Sequence, residues 1–132
     1  MAQGKILIID DEDEVREVLK LHLNQGGFEV IEARDGAEAI SLMEKGANLV
    51  NVGLIVCDIR MPKINGVEAV DFLRQNATSI PILVVTGYPD TELAVSLIRK
   101  GVKDYLVKPV SKEKLLKSVS KIFSEEQDFQ YA

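Results

Sequence analysis

Short apolar runs alternate with amphipathic stretches five times along the chain. The runs are Lys5 to Ile9, Phe28 to Ala33, Leu54 to Asp58, Ile80 to Val85 and Asp104 to Val107. Each is too short for a helix and rich in Ile, Val or Leu, which predicts strands buried on both faces. Between them apolar residues recur at helical spacing. The sets are Val15, Val18, Leu19 and Leu23; Ala39, Ile40 and Met43; Val67, Val70 and Leu73; Leu93, Ala94, Leu97 and Ile98; and Leu115, Val119 and Ile122, flanked by Leu116 and Phe123. Gly26-Gly27, Gly46 and Gly101 stop helices, while Pro62 and Gly66 punctuate a connecting loop. Asp35 with Glu38 at the reciprocal position, Asp90 or Thr91, and Ser111 supply N-caps. Pro81 falls near the start of the fourth strand, where a missing amide donor is tolerated. Five strand-then-helix units with short connections predict an α/β fold, a parallel sheet covered by helices on both faces.

The chain has 132 residues, 46% of them hydrophobic, which suits one compact domain with a sizeable core. Ser124 onward is acidic and polar. The domain is therefore expected over residues 4–123, with 124–132 a fraying tail or truncated linker. With 16 basic and 21 acidic residues the net charge is -5, which argues against direct nucleic-acid binding and is compatible with a cation or a protein partner. Met1 to Gly4 carries no signal-peptide pattern, and no apolar stretch reaches membrane-spanning length. The single cysteine, Cys57, lies in an apolar run and forms no internal disulfide. A cytoplasmic chain without membrane contact is expected. One Cys and one His exclude a zinc cluster of the usual kind. No G-x-G-x-x-G follows the first strand and no G-x-x-x-x-G-K-[ST] occurs, so dinucleotide and P-loop chemistry are poor readings.

Four of the strands end in polar residues that can converge at one mouth of a parallel sheet: Asp10 and Asp11, Asp58, Thr86, and Lys108. Carboxylates gathered there repel, by about 4 kcal/mol for a pair at about 4 Å and an effective dielectric of about 20. A divalent cation relieves that repulsion, and an all-oxygen donor set points to Mg²⁺ rather than zinc, with Mn²⁺ the alternative. Lys108 supplies the opposite charge and Thr86 a hydroxyl donor. A metal, a cation and a hydrogen-bond donor around one carboxylate are the parts needed to hold a transferring phosphoryl group. One carboxylate can then be the nucleophile that forms an aspartyl phosphate. Asp58, emerging singly from the centre of the chain, is the best candidate.

These residues, together with Met61-Pro62, Gly66 and the run Asp104-Tyr105-Leu106-Val107-Lys108-Pro109, make the chain similar to receiver domains of bacterial two-component response regulators over essentially residues 4 to 123. The resemblance implies a flavodoxin-like (βα)5 fold with sheet order 2-1-3-4-5. It implies that Asp58 accepts a phosphoryl group from a histidine kinase or a histidine phosphotransfer protein. Asp11, Asp58 and the main-chain carbonyl of Arg60 would coordinate Mg²⁺, with Asp10 orienting a metal-bound water. Lys108 would pair with Asp58 before transfer and with a phosphate oxygen afterwards. Thr86 would bond another phosphate oxygen, and its movement would let Tyr105 turn inward. The Lys108–Pro109 bond would be cis, and Pro62 and Gly66 would shape the loop after Asp58. Arg60 and Tyr88 would flank the phosphate and set its lifetime. Neither offers a carboxylate or amide to orient water, so slow self-hydrolysis is expected.

Taken singly, Lys108 fits a surface ion pair, Thr86 a turn residue, Tyr105 a static edge residue, and Pro62 and Pro109 plain loop stiffeners. Jointly they favour a phosphorylation-controlled signalling switch that assists its own phosphotransfer and dephosphorylation. The alternatives are a constitutive docking module with the same fold and a metal-dependent phosphohydrolase. The acidic pocket argues against the first, and the lack of further acid/base apparatus against the second. The expected output is a contact with a downstream protein or a covalently linked output domain missing from these residues, and the resemblance adds a homodimer through the fourth helix, fifth strand and fifth helix as a further option.

Overall fold

The computed structural model describes residues 4–45, 51–58, 70–71, 74–75, 80–87 and 90–131. Strands β1 (Lys5–Ile9), β2 (Val30–Ala33), β3 (Val52–Cys57), β4 (Ile82–Thr86) and β5 (Asp104–Val107) form one sheet of order β2-β1-β3-β4-β5. Every neighbouring pair is parallel. Helices α1 (Asp13–Gln25), α2 (Gly36–Lys45), α3 (Thr91–Arg99) and α4 (Lys112–Tyr131) flank it, and residues 70–71 and 74–75 are also helical.

Alternation along the strands sorts the core into two layers, since successive side chains point to opposite faces. Ile6, Ile8, Leu54, Val56, Leu83 and Val85 pack with Leu19 and Leu23 of α1 and Leu115, Val119, Ile122 and Phe123 of α4. Leu7, Ile9, Ile55, Cys57, Ile82 and Val84 pack on the other face with Ala39 and Ile40 of α2, Leu97 of α3 and Val70. The three central strands are thus buried on both sides, as their unbroken apolar runs require.

Several edges differ from the sequence pattern, each for a local reason. Phe28 is not in β2. Its N–H bonds the Leu23 carbonyl at 3.1 Å after Gly27 turns at a φ of 89°, and its ring stacks on Phe123 with centroids 5.7 Å apart. It closes α1 instead of opening a strand. β3 begins earlier than expected, at Val52. The register jumps from Lys5 opposite Val52 to Ile6 opposite Leu54, which leaves Gly53 as the extra residue of a bulge. Gly4 sits against that bulge with a φ of 91°, and a Cβ there would come within 2.7 Å of the Asn51 carbonyl. β4 starts only after Ile80 and Pro81, although the Pro81 carbonyl still accepts from Ile55 N–H at 3.0 Å.

Two helical positions expected to face the core do not. Val18 is 51% exposed and Ile98 48% exposed, so the inward stripes are narrower than their composition suggested. The caps fall where the sequence put them. Asp35 Oδ1 accepts from Glu38 N–H at 2.7 Å and Glu38 Oε1 accepts from Arg34 N–H at 3.0 Å. Asp90, rather than Thr91, caps α3 by accepting from Leu93 N–H at 3.1 Å, and Ser111 Oγ accepts from Lys114 N–H at 3.1 Å. The backbone of α4 stays helical through Tyr131, past the position where polarity suggested a fraying tail, and no Gly or Pro interrupts residues 112–131. Gly46, Pro62, Gly66, Val67, Leu73, Arg60 and Tyr88 lie outside the described residues, as does the side chain of Met43.

Candidate phosphoacceptor and cation site

The parallel sheet points the C-terminal ends of β1, β3, β4 and β5 the same way. Main-chain bonds lock those ends in register. Asp10 N–H donates to the Ala33 carbonyl at 3.1 Å, Asp58 N–H to the Ile9 carbonyl at 2.9 Å, and Lys108 N–H to the Thr86 carbonyl at 2.7 Å. Asp10 is 1% exposed, Asp58 4% and Thr86 0%. Lys108 reaches across the mouth, and its Nζ donates to Asp10 Oδ2 at 2.9 Å and to Asp58 Oδ2 at 3.0 Å. Residues 98 and 50 positions apart in sequence from Lys108 therefore share one ammonium group. The Lys108–Pro109 peptide is cis.

Carboxylate oxygens of Asp10, Asp11, Glu12 and Asp58 lie within 4.8 Å of one another. Among the described residues these four carboxylates outnumber the Lys108 ammonium that bridges two of them. The all-oxygen donor set suits a hard divalent cation such as Mg²⁺. In sequence, Glu12 belongs to an acidic run after β1 that reads equally well as helix N-terminal charge. Its main-chain N–H donates to Asp10 Oδ1 at 2.9 Å, so the turn that brings Glu12 into the cluster also orients Asp10.

The ionisation of the site follows from its burial. Desolvation pushes the Asp10 carboxyl above its ordinary value of 3.8, and the Glu12 amide and Lys108 only partly offset it, while the charge on Asp58 adds to the rise. Burial pulls Lys108 down most strongly, but its bonds to Asp10 and Asp58 and their charges outweigh that, leaving it above 10.5. Cys57, fully buried, is pushed up to about 12 by desolvation and then by the charges of Asp58 and Asp10, which makes it a packing residue and not a nucleophile. A carboxyl raised on folding favours the folded state below pH 3.8. That advantage is lost as pH climbs toward the raised folded value, so ionised Asp10 weighs against folding at neutral pH. Asp10→Asn is accordingly expected to raise the thermal unfolding midpoint at pH 7 in EDTA by a few degrees, and to remove that acid-limb dependence. An unchanged or lower midpoint by calorimetry would contradict this balance.

Tyr105 lies two residues before Val107, which pairs with Thr86. Its half-buried ring packs with the Val84 layer, and its hydroxyl accepts from Asp90 N–H at 3.4 Å, tying β5 to the N-terminus of α3. Beside the acidic mouth, Val15, Val18 and Leu19 of α1 face Pro109 and Val110 across a cleft of about 430 Å³, edged by Glu14 and Lys108. This cleft accounts for the exposure of Val18. Among the described residues no helix is long and apolar enough to cross a membrane.

A model of the response regulator receiver domain matches residues 6–120, and the chain belongs to that family. It is 35% identical over 86% of its length to the regulatory protein AtoC of Escherichia coli (strain K12), of which it covers 24%. It is 37% identical over 81% of its length to the alkaline phosphatase synthesis transcriptional regulatory protein PhoP of Bacillus subtilis (strain 168), of which it covers 43%. The chain thus spans less than half the length of these relatives. The crystal structure of a response regulator receiver protein from Pseudomonas putida superposes with a TM-score of 0.81 at 33% identity, covering 92% of this chain and 98% of that one. The (βα)5 fold expected from the sequence, with strand order 2-1-3-4-5, is the one observed.

Proposed function

We propose that this chain is a Mg²⁺-dependent phosphoacceptor switch that takes a phosphoryl group onto Asp58 from a histidine kinase or histidine phosphotransfer protein. The observation that carries the reading is the Lys108 bridge to Asp10 and Asp58 within a cluster of four carboxylates at the strand ends. In the transfer an Asp58 oxygen forms a bond to phosphorus while the donor's phosphorus–nitrogen bond breaks. Asp11 and Asp58 would hold the cation, together with the Arg60 carbonyl expected from the sequence, and Asp10 would act through a bound water. When bound, Mg²⁺ supplies charge neutralisation for the phosphoryl oxygens. Lys108 is already in contact with the nucleophile and so needs little reorganisation to follow the new oxygens.

The cleft walled by Lys108, Pro109 and α1 gives the donor an apolar landing beside its target, and we place the phosphodonor protein there. Phosphorylation adds negative charge where Lys108 is fixed to Thr86 through the backbone. The Thr86 hydroxyl then bonds phosphate, and the Tyr105 contact with the start of α3 is the readout that shifts. Residues 4–123 form the switch unit and residues 124–132 an acidic polar tail or linker, and the signal is received by a downstream protein or a linked output domain, with a homodimer as a further option.

Incubation with acetyl phosphate and Mg²⁺, read by intact mass, is expected to add one phosphoryl group, with little added in EDTA. Arg60, two residues after Asp58, and Tyr88, two after Thr86, bring no carboxylate or amide to orient water, so the adduct should outlast seconds by a wide margin once the donor is removed. No adduct at all would sink the proposal, and a lifetime of seconds without a phosphatase would overturn the role given to those two residues.

A further inference from the structure

Arg16 is a largely buried cation of α1, with 11% of its side chain exposed, and its guanidinium reaches three elements. Nη1 donates to the main-chain carbonyl of Asp10 at 2.6 Å. Nη2 donates to Asp13 Oδ1 in the first turn of α1. Nε lies 3.5 Å from Glu32 Oε1 on β2, while Lys20 Nζ lies 3.4 Å from the other Glu32 oxygen. The two carboxylates already answer the charge of Arg16. The bond to the Asp10 carbonyl, six residues back, does something else.

That carbonyl belongs to the planar peptide unit joining Asp10 to Asp11. The peptide unit on the other side of Asp10 is held by its N–H, which donates to the Ala33 carbonyl at 3.1 Å. Both peptide planes around Asp10 are therefore pinned. The guanidinium contact thus falls on the peptide that carries the chain from β1 toward Asp11. The planar fork donates to a carbonyl and a carboxylate at once and pairs with Glu32 by charge alone, whereas a lysine ammonium is a single point of charge.

We propose that Arg16 is a positioning residue for the cation site, holding the Asp10–Asp11 peptide so that Asp10 and Asp11 present their oxygens toward Asp58. The inference rests on the reading of this cluster as a Mg²⁺ site. Its sign separates it from a charge effect. Removing a positive charge near four carboxylates tightens cation binding on electrostatics alone. Removing a positioning contact weakens it, and loss of an outer partner of metal ligands typically weakens metal affinity by about 10- to 100-fold.

The test is calorimetric titration of Mg²⁺ into the native chain, Arg16→Ala, Arg16→Lys and Arg74→Ala, with thermal unfolding of each in EDTA. Arg74 is the control, since it donates to the Ile80 and Gly101 carbonyls at 2.9 Å each, at the opposite end of the sheet. Both Arg16 variants should bind Mg²⁺ at least about 10-fold more weakly than the native chain. Arg74→Ala should lose stability and keep native Mg²⁺ affinity. Should Arg16→Ala fail to fold, Arg16→Lys decides alone. Native or tighter Mg²⁺ binding in the folded Arg16 variants overturns the proposal, and so does an equal loss in Arg74→Ala. If the native chain binds no Mg²⁺, the functional reading falls, and the role of Arg16 with it.

Discussion

Asp58→Asn is expected to abolish phosphoryl labelling by acetyl phosphate and Mg²⁺ while leaving the fold intact. The amide matches the carboxylate in size, so the mouth of the sheet is not opened. What disappears is the anionic oxygen that attacks phosphorus, and an amide oxygen is a far weaker nucleophile. Lys108 keeps its 2.9 Å bond to Asp10, so the variant does not strand a buried ammonium. Asp58 N–H still donates to the Ile9 carbonyl, which keeps β3 in register with β1. Intact mass should show the native chain with one phosphoryl group and the variant with none under the same conditions. An adduct that persists in the variant would move the acceptor to another residue.

Lys108→Ala should carry the second largest effect, on both stability and transfer. It leaves Asp10 and Asp58 buried without their shared cation. Breaking a buried pair by removing one partner costs roughly 3–5 kcal/mol. Here Asp10 can escape part of that cost by taking up a proton, since its carboxyl is already raised. The variant should therefore unfold at a clearly lower temperature in EDTA, and added Mg²⁺ should recover more stability in it than in the native chain. Phosphoryl transfer should fall by about 100-fold or more, the usual cost of losing one preorganised donor at a developing charge. The alkaline limb provides a further check. Because Lys108 sits above 10.5 in the folded state, its contribution is complete below that pH and is lost as pH rises through its folded value. The native chain should lose that increment of stability at high pH and Lys108→Ala should not. Native labelling rates in this variant, or matching alkaline limbs, would remove Lys108 from the role assigned to it.

Much of this architecture is legible because its strands are buried on both faces. A strand such as Ile6 to Ile9 or Ile82 to Val85 has no polar position to blur the pattern, and its end is marked by the first polar residue. The same contrast exposes Asp10, Asp58, Thr86 and Lys108 as a group, since each is a polar residue at the end of an apolar run. Residues whose role depends on three-dimensional neighbours leave no such mark. Arg16 and Glu12 sit in an acidic helix start that predicts surface charge, and nothing local reveals that one bonds the Asp10 carbonyl and the other completes the cluster. Val18 and Ile98 satisfy helical spacing, yet spacing cannot say how wide the covered stripe will be. Phe28 has every property of a strand residue, and it is the backward bond to Leu23, set up by Gly27, that takes it out of β2.

The burial of Cys57 has a practical side. The thiol lies one residue from Asp58, yet it is fully buried and, with its ionisation pushed up to about 12, holds almost no thiolate at neutral pH. It is the only cysteine in the chain. A single cysteine introduced at an exposed position such as Val95 on α3 would thus be the sole site to take a maleimide dye, with no native residue to remove first. Reporters of motion could be attached while the strand bearing Asp58 stays untouched.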